Sequence, residues 1–208
     1  MFRTVLFLLA IQASLCLASD CPGCAPCTKD LTSLSDRGDG LINWARVDNQ
    51  VYRGGQPFIR GNINGYETLQ SMGIKTIINL RALGGREGQN ILEMNTKTRD
   101  KNKRIYYVHI PLSTSKTDIN YLNSQLNLIL RAVLESPPPV FVHCNNGRER
   151  TGLVIAAYRM LTYRWPLDRS IREMELCHFI ESRSNDHFLL FLRWWSTYRL
   201  PLLKPEVR

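Results

Sequence analysis

Between Val142 and Gly152 the chain reads Val-His-Cys-Asn-Asn-Gly-Arg-Glu-Arg-Thr-Gly, and this run holds the residues best suited to covalent chemistry. Cys144 becomes a strong nucleophile once it is a thiolate, and cations or a helix N-terminus beside it favour that form. Arg150 lies six positions further on. Its planar fork can hold two oxygens of a phosphoryl group and the charge that builds up on them, which a lysine cannot do with the same geometry. The backbone amides from Asn145 through Asn146, Gly147, Arg148 and Glu149 to Arg150 can converge as a nest for an anion. Gly147 frees the backbone to curl around it. The Thr151 hydroxyl could donate to Cys144 as it leaves, and His143 would orient the loop through hydrogen bonds without moving a proton. Together these residues suit attack by Cys144 on phosphorus and a covalent phosphocysteine.

Such a loop needs a strand before it and a helix after it. Val140-Phe141-Val142 is a short apolar strand, and a helix is expected over Arg150–Tyr163. A helix N-terminus offers unpaired N–H groups and partial positive charge to a phosphate. Further strands are expected around Trp44–Val47, Val51–Arg53, Thr76–Leu80 and Ile105–Ile110. Ile63, Tyr66, Leu69 and Met72 recur at helical spacing and stop at Gly73; Arg81–Gly88 reads as a glycine-rich loop. Asp118 is placed to cap a helix whose stripe is Ile119, Leu122, Leu126, Ile129 and Val133. Two more helices are expected over Leu167–Cys177 and Asp186–Tyr198. Strands alternating with helices imply an α/β domain with a central, mainly parallel sheet flanked by helices.

The run His143, Cys144, Arg150, Thr151 resembles the signature His-Cys-x5-Arg-Ser/Thr of the cysteine-dependent protein tyrosine phosphatase superfamily. Val51-Tyr52-Arg53-Gly54-Gly55-Gln56-Pro57 resembles the entry segment of compact bacterial-type dual-specificity phosphatases. Gly73–Arg81 resembles their helix-strand corner, and Arg164-Trp165 with Glu173-Met174 their helix after the active site. The likeness covers about residues 44 to 180 and implies a phosphatase-like fold with a strand–phosphate loop–helix site. It implies hydrolysis of phosphate monoesters, with catalytic Cys144 and Arg150, phosphate bound by residues 145 to 150, and neither metal nor other cofactor required. It also implies an aspartate acid that protonates the leaving oxygen. In the matching loop, Pro111–Asp118, the carboxylate is Asp118, while Ser115 stands where the family aspartate often lies. Asp118 therefore has two readings, general acid or helix N-cap. The implied partner is a phosphorylated protein, phosphotyrosine first, or a small anionic phosphate ester. The alternatives are an inositol-phosphate or phosphoinositide phosphatase, which Asn145 and Asn146 weaken because such relatives carry more lysine in the loop, and a phosphate-binding pseudophosphatase.

The 208 residues suffice for a folded domain with a full core, and the net charge of +9 suits an anionic partner. No uninterrupted Lys/Arg run with interleaved aromatics argues for nucleic acid; the nearest cluster, Lys97–Arg104, contains Asp100 and Asn102. Arg3, the apolar stretch Val5–Leu17 and the small residues Ala18 and Ser19 fit a signal peptide over residues 1–18, hence export to a periplasm or beyond, with no membrane span after its removal. Residues 19–40 read as a Cys-rich linker and 41–208 as the phosphatase-like domain. Of six cysteines, Cys21, Cys24, Cys27 and Cys177 could form two disulfides in an oxidising compartment, leaving Cys144 free. A thiol–disulfide oxidoreductase built on the N-terminal Cys-x2-Cys pairs lacks the βαβ pattern it needs.

Overall fold

The computed structural model describes residues 39–182 and 185–203. The signal-peptide and Cys-rich linker expectations, including Cys21, Cys24 and Cys27, lie outside the described residues.

The sheet has five strands in the order β1 (Ala45–Arg46), β2 (Val51–Gly54), β7 (Val140–His143), β5 (Thr76–Asn79) and β6 (Tyr106–His109). β1 runs antiparallel to β2; the remaining neighbours are all parallel. The α/β expectation with a mainly parallel sheet therefore holds. β7 is central, and its four residues are all buried, as are those of β5. Strands covered on both faces read as continuous apolar runs, which is why these two were plain in the sequence. The register sets Gly54, His143, Asn79 and His109 side by side at the carboxyl ends of the four parallel strands.

Side chains alternate across the sheet. Val140, Val142 and Ile78 join one apolar cluster with α3 (Ile119–Glu135), α4 (Glu149–Tyr163), α5 (Leu167–Leu176) and α6 (Asp186–Tyr198). Phe141 and Ile77 join another with α1 (Gly65–Ser71) and α2 (Glu87–Lys97). α3 starts where Asp118 accepts from the Tyr121 N–H at 2.8 Å, and it buries Leu122, Leu126, Ile129, Leu130 and Val133. Each such side chain contributes roughly 1.5–3 kcal/mol, so Leu126→Ala, at a fully buried position, would cost about 2–5 kcal/mol. α4 is buried from Thr151 through Leu161, on every face, because neighbouring helices and the sheet surround it. It ends at Arg164 in the left-handed region, φ +57°, and Pro166 stands at the N-cap of the next helix. Arg159 ties three parts together: it pairs with Glu173 of α5 at 2.8 Å and donates to the Val47 carbonyl at 2.9 Å.

Two stretches differ from the sequence reading. Ile63 belongs to a two-residue strand, β4 (Ile63–Asn64), paired with β3 (Ile59–Arg60); the helix begins at Gly65, capped by the Asn64 side chain. Residues 87–97, given no element in sequence, form α2. Its one buried apolar residue is Ile91, while Leu92 is 64% exposed, so its apolar stripe is too thin to read. No helix among the described residues is long and apolar enough to cross a membrane.

Candidate active site

The loop between β7 and α4 is shaped from outside. The carbonyl of Asn145 accepts from the Gln56 N–H at 3.0 Å. That of Asn146 accepts from Asn43 Nδ2 at 3.3 Å, and that of Gly147 accepts from Asn43 Nδ2 at 3.2 Å and Arg53 Nη2 at 2.8 Å. Three successive carbonyls thus face away from the loop centre, which turns the intervening amides inward. Among the described residues the N–H groups of Asn145, Asn146, Gly147 and Arg148 have no backbone partner. This is the concave nest expected from the sequence. Gly147 makes the turn at φ +71°; a β-carbon there would lie 2.4 Å from the Gly54 carbonyl carbon and 2.5 Å from the Gly55 nitrogen.

Cys144 is fully buried at the base of this nest, and it is the free thiol among the described residues; Cys177 is disulfide-bonded. Asn145 and Asn146 are exposed, and Arg148, Glu149 and Arg150 are half-buried at the mouth. Arg150 reaches back to the Leu80 carbonyl at 3.4 Å through Nη1, and its buried Nε has no partner among the described residues, so most of the guanidinium's donors are open to a ligand. The buried Thr151 hydroxyl donates to the Gly54 carbonyl at 3.4 Å. That bond is long, and it points the hydroxyl at β2.

Arg53, 1% exposed, lies behind the loop. Burial pulls its guanidinium below its ordinary value, and negative charge at Glu173 and then Cys144 pulls it back. His143, also fully buried, sets Nδ1 3.0 Å from the Cys144 carbonyl and Nε2 3.1 Å from Glu87 Oε1. The other Glu87 oxygen accepts from Asn79 Nδ2 at 2.5 Å, and Asn79 also contacts the Tyr107 hydroxyl at 2.9 Å. Asn79 Oδ1 accepts from the Arg81 N–H, and His109 Nε2 donates to the Arg81 carbonyl at 2.8 Å, so both residues brace the loop after β5.

Asp118 is exposed, with Oδ1 held by the Tyr121 N–H. The loop before it is ordered by Ser113, whose Oγ accepts from the N–H groups of Ser115 and Lys116 and whose N–H donates to the Tyr121 hydroxyl. A cavity of about 570 Å³ opens beside Asn145 and Asn146; Ile42, Pro57, Phe58, Ile59 and Tyr66 give it apolar walls and Arg60 is its one cation.

Sequence reasoning identified the loop and missed what supports it. Asn43, Arg53, Asn79 and Glu87 carry that support. Arg53 had a usable signal, a charged residue at an inward position between Val51 and Gly54 in a strand. Glu87 had none, because it lay in a segment read as loop.

Residues 41–198 match the family described as the tyrosine phosphatase family. OCA1 of Mycosarcoma maydis, named as a tyrosine-protein phosphatase, is 30% identical over 131 residues, 63% of this chain and 77% of its own. The inositol diphosphatase DSP1 of Oryza sativa subsp. japonica is 26% identical over 173 residues, covering 80% and 70% of the two chains. The crystal structure of TpbA from Pseudomonas aeruginosa superposes with a TM-score of 0.56 at 22% identity, covering 77% of this chain and 89% of that one.

Proposed function

Because the chain belongs to the tyrosine phosphatase family, we propose that it hydrolyses phosphate monoesters through a phosphocysteine on Cys144. The observation that carries this reading is the outward turn of the Asn145, Asn146 and Gly147 carbonyls around a buried free thiol. The amides then face one point, with Arg150 at the mouth. A phosphoryl group seated there meets the Cys144 thiolate. Sulfur bonds to phosphorus, the bond from phosphorus to the leaving oxygen breaks, and Asp118 gives that oxygen a proton through Oδ2. Asp118, now a carboxylate, takes a proton from water as the water oxygen attacks phosphorus and releases Cys144 and inorganic phosphate. Arg150 and the loop amides hold the equatorial oxygens throughout. Thr151 turns from Gly54 toward the sulfur as it leaves.

The substrate is a phosphoprotein, with phosphotyrosine preferred. The walls of the cavity beside the loop support this: five apolar or aromatic residues and a single arginine suit a peptide flank better than a polyanionic ring. The likeness to an inositol diphosphatase supports the second reading, a diphosphoinositol substrate. Export is part of the proposal; it rests on the signal-like residues 1–18 and on the disulfide at Cys177, a bond typical of oxidising compartments.

The deciding experiment is hydrolysis of p-nitrophenyl phosphate by the reduced protein, with and without Cys144→Ser. Activity that disappears in the variant and a phosphocysteine trapped by rapid acid quench are expected. Turnover that survives Cys144→Ser would sink the mechanism. Phosphotyrosine peptide and diphosphoinositol phosphate, compared by kcat/KM, separate the two substrate readings.

A further inference from the structure

The buried amide of Asn43 joins two places far apart in sequence. Its Nδ2 donates to the loop carbonyls of Asn146 and Gly147 at 3.3 and 3.2 Å, and to the Cys177 carbonyl at 3.1 Å. An amide NH2 has two hydrogens. Cys177 is the nearest acceptor, so one hydrogen serves it and the two adjacent loop carbonyls share the other. The Cys177 carbonyl is available because of how α5 ends. His178 is left-handed at φ +66°, its N–H donates to the Glu175 carbonyl at 3.0 Å, and the Phe179 N–H donates to the Met174 carbonyl at 3.0 Å. That closure satisfies carbonyls one turn back and leaves the Cys177 carbonyl to a partner outside the helix. The inward pose of Asn43 does not sustain itself. Its backbone is left-handed, φ +45°, and its buried Oδ1 has no partner among the described residues. Both features are unfavourable, so the surroundings must impose the pose. The apolar packing here is thin: Ala45 and Cys177 form a two-residue cluster apart from the larger cores. A covalent tie adds to it, since Cys177 is disulfide-bonded. Cys144 is free, so the partner of Cys177 is one of the four cysteines before residue 28, outside the described residues, on the stretch of chain that leads toward Asn43.

We propose that Asn43 is a positioning residue under redox control. The disulfide keeps the Cys177 carbonyl against the Asn43 amide, and the amide keeps the phosphate loop shaped for an oxyanion. A dithiol that reduces the bond breaks one S–S link, leaves thiols at Cys177 and its partner, and becomes a disulfide itself. The Asn43 amide then loses its hold on the Asn146 and Gly147 carbonyls. Arg53 still donates to the Gly147 carbonyl and the Gln56 N–H to the Asn145 carbonyl, so the site is weakened rather than lost. Full activity thus requires a thiol at Cys144 and a disulfide at Cys177 together. The inference rests on reading the loop as an oxyanion site, yet its test needs no turnover, so the two can fail separately.

The test measures tungstate affinity by isothermal titration calorimetry in the full chain carrying Cys144→Ser, where dithiothreitol can act only on Cys177 and the N-terminal cysteines. Reduction is expected to weaken binding about three- to tenfold, the worth of one shared hydrogen bond. Cys177→Ala in the same background should bind that weakly without dithiothreitol and not respond to it. Asn43→Gly keeps the left-handed backbone and removes the donor, so it too should bind weakly and not respond. An affinity unchanged on reduction of the Cys144→Ser protein overturns the proposal, and so does a response that persists in Asn43→Gly. No tungstate binding in the oxidised protein would overturn the reading of the loop itself, and this proposal with it. If either variant does not fold, the Cys144→Ser protein alone decides by nuclear magnetic resonance. The amide shifts of Gly147 and Arg148, whose peptides carry the two loop carbonyls, should move on reduction; shifts that stay in place overturn the proposal.

Discussion

Arg53 donates through Nη2 to the carbonyl oxygen of Gly147 over 2.8 Å, while its buried Nε and Nη1 have no hydrogen-bond partner among the described residues. A fully buried guanidinium with one bond is expensive unless a field compensates it, and Glu173 and Cys144 supply that field. The bond fixes the Gly147–Arg148 peptide with the Arg148 N–H toward the nest. Arg53→Met keeps the volume and removes both bond and charge. Asn43 still holds the carbonyl at 3.2 Å, so the fold should persist. The loss of one buried bond to a charged donor is about 1.5–3 kcal/mol, which is about a ten- to hundredfold fall in kcat/KM for p-nitrophenyl phosphate. Steady-state kinetics equal to wild type would show that the loop holds its shape without Arg53.

Gly147 itself admits no side chain. An added β-carbon would overlap backbone atoms of Gly54 and Gly55, which sit in a strand and its exit and cannot step aside. Gly73 has a similar φ, +82°, with nothing within 4 Å of its would-be β-carbon. Gly73→Ala should therefore cost only the left-handed strain, about 1–2 kcal/mol. Gly147→Ala adds overpacking and should cost about 3 kcal/mol or more in all, a melting point lower by roughly 6–12 °C. Vanadate affinity should collapse in Gly147→Ala and stay unchanged in Gly73→Ala. Calorimetry and vanadate titration together test this, and equal losses in the two variants would contradict it.

The parts of the site legible in sequence were those written locally. His143 to Thr151 is one run, and the apolar runs of β5 and β7 announce buried strands without help from the rest of the chain. The parts that were not legible depend on partners far apart. Arg53 meets Gly147 from 94 positions away, and Asn43 meets it from 104. Such contacts arise from the order in which parallel strands pair, and no local pattern carries that order. Glu87 was hidden for a second reason. α2 begins in a glycine-rich stretch and buries one apolar residue, so it is held by polar bonds, Asn79 to Glu87 and Asn95 to the Ile105 carbonyl, more than by an apolar face. Asp118 was read two ways, and its helix-capping geometry is plain in the structure; a cap leaves Oδ2 available, so the two readings are compatible.

That compatibility can be separated by substitution. Asp118→Asn retains a side-chain oxygen for the Tyr121 N–H and loses the acidic proton; Asp118→Ala loses both. Asn is as good a cap as Asp, so its melting point should match wild type, while Ala should cost about 1 kcal/mol. With Asp118 as the acid, kcat should fall about a hundredfold in both. The loss should be smaller on p-nitrophenyl phosphate, whose leaving group needs little protonation, than on a phosphoserine peptide. A wild-type kcat in Asp118→Asn on both substrates would leave Asp118 as a cap alone.

Stability at alkaline pH should depend on Tyr158. Its hydroxyl donates to Asp48 Oδ2 at 2.8 Å, beside an equal bond from Tyr163, while Asp48 Oδ1 accepts from the Gln50 and Val51 N–H groups before β2. Burial and then the Asp48 charge push the Tyr158 phenol well above its ordinary value of 10.0. A folded-state value above the unfolded one stabilises fully below the unfolded value, and that contribution is lost as pH rises past about 10, where only the unfolded chain ionises. Tyr158→Phe cannot ionise. At pH 7 it should be less stable than wild type by about 1–2 kcal/mol, the worth of a bond to a carboxylate. By pH 11 the gap should narrow by about 1 kcal/mol, because wild type then loses what the variant never had. Urea unfolding of both proteins at the two pH values measures the gap, and a gap that stays constant between them would mean that Tyr158 titrates in the folded protein as it does in the unfolded chain.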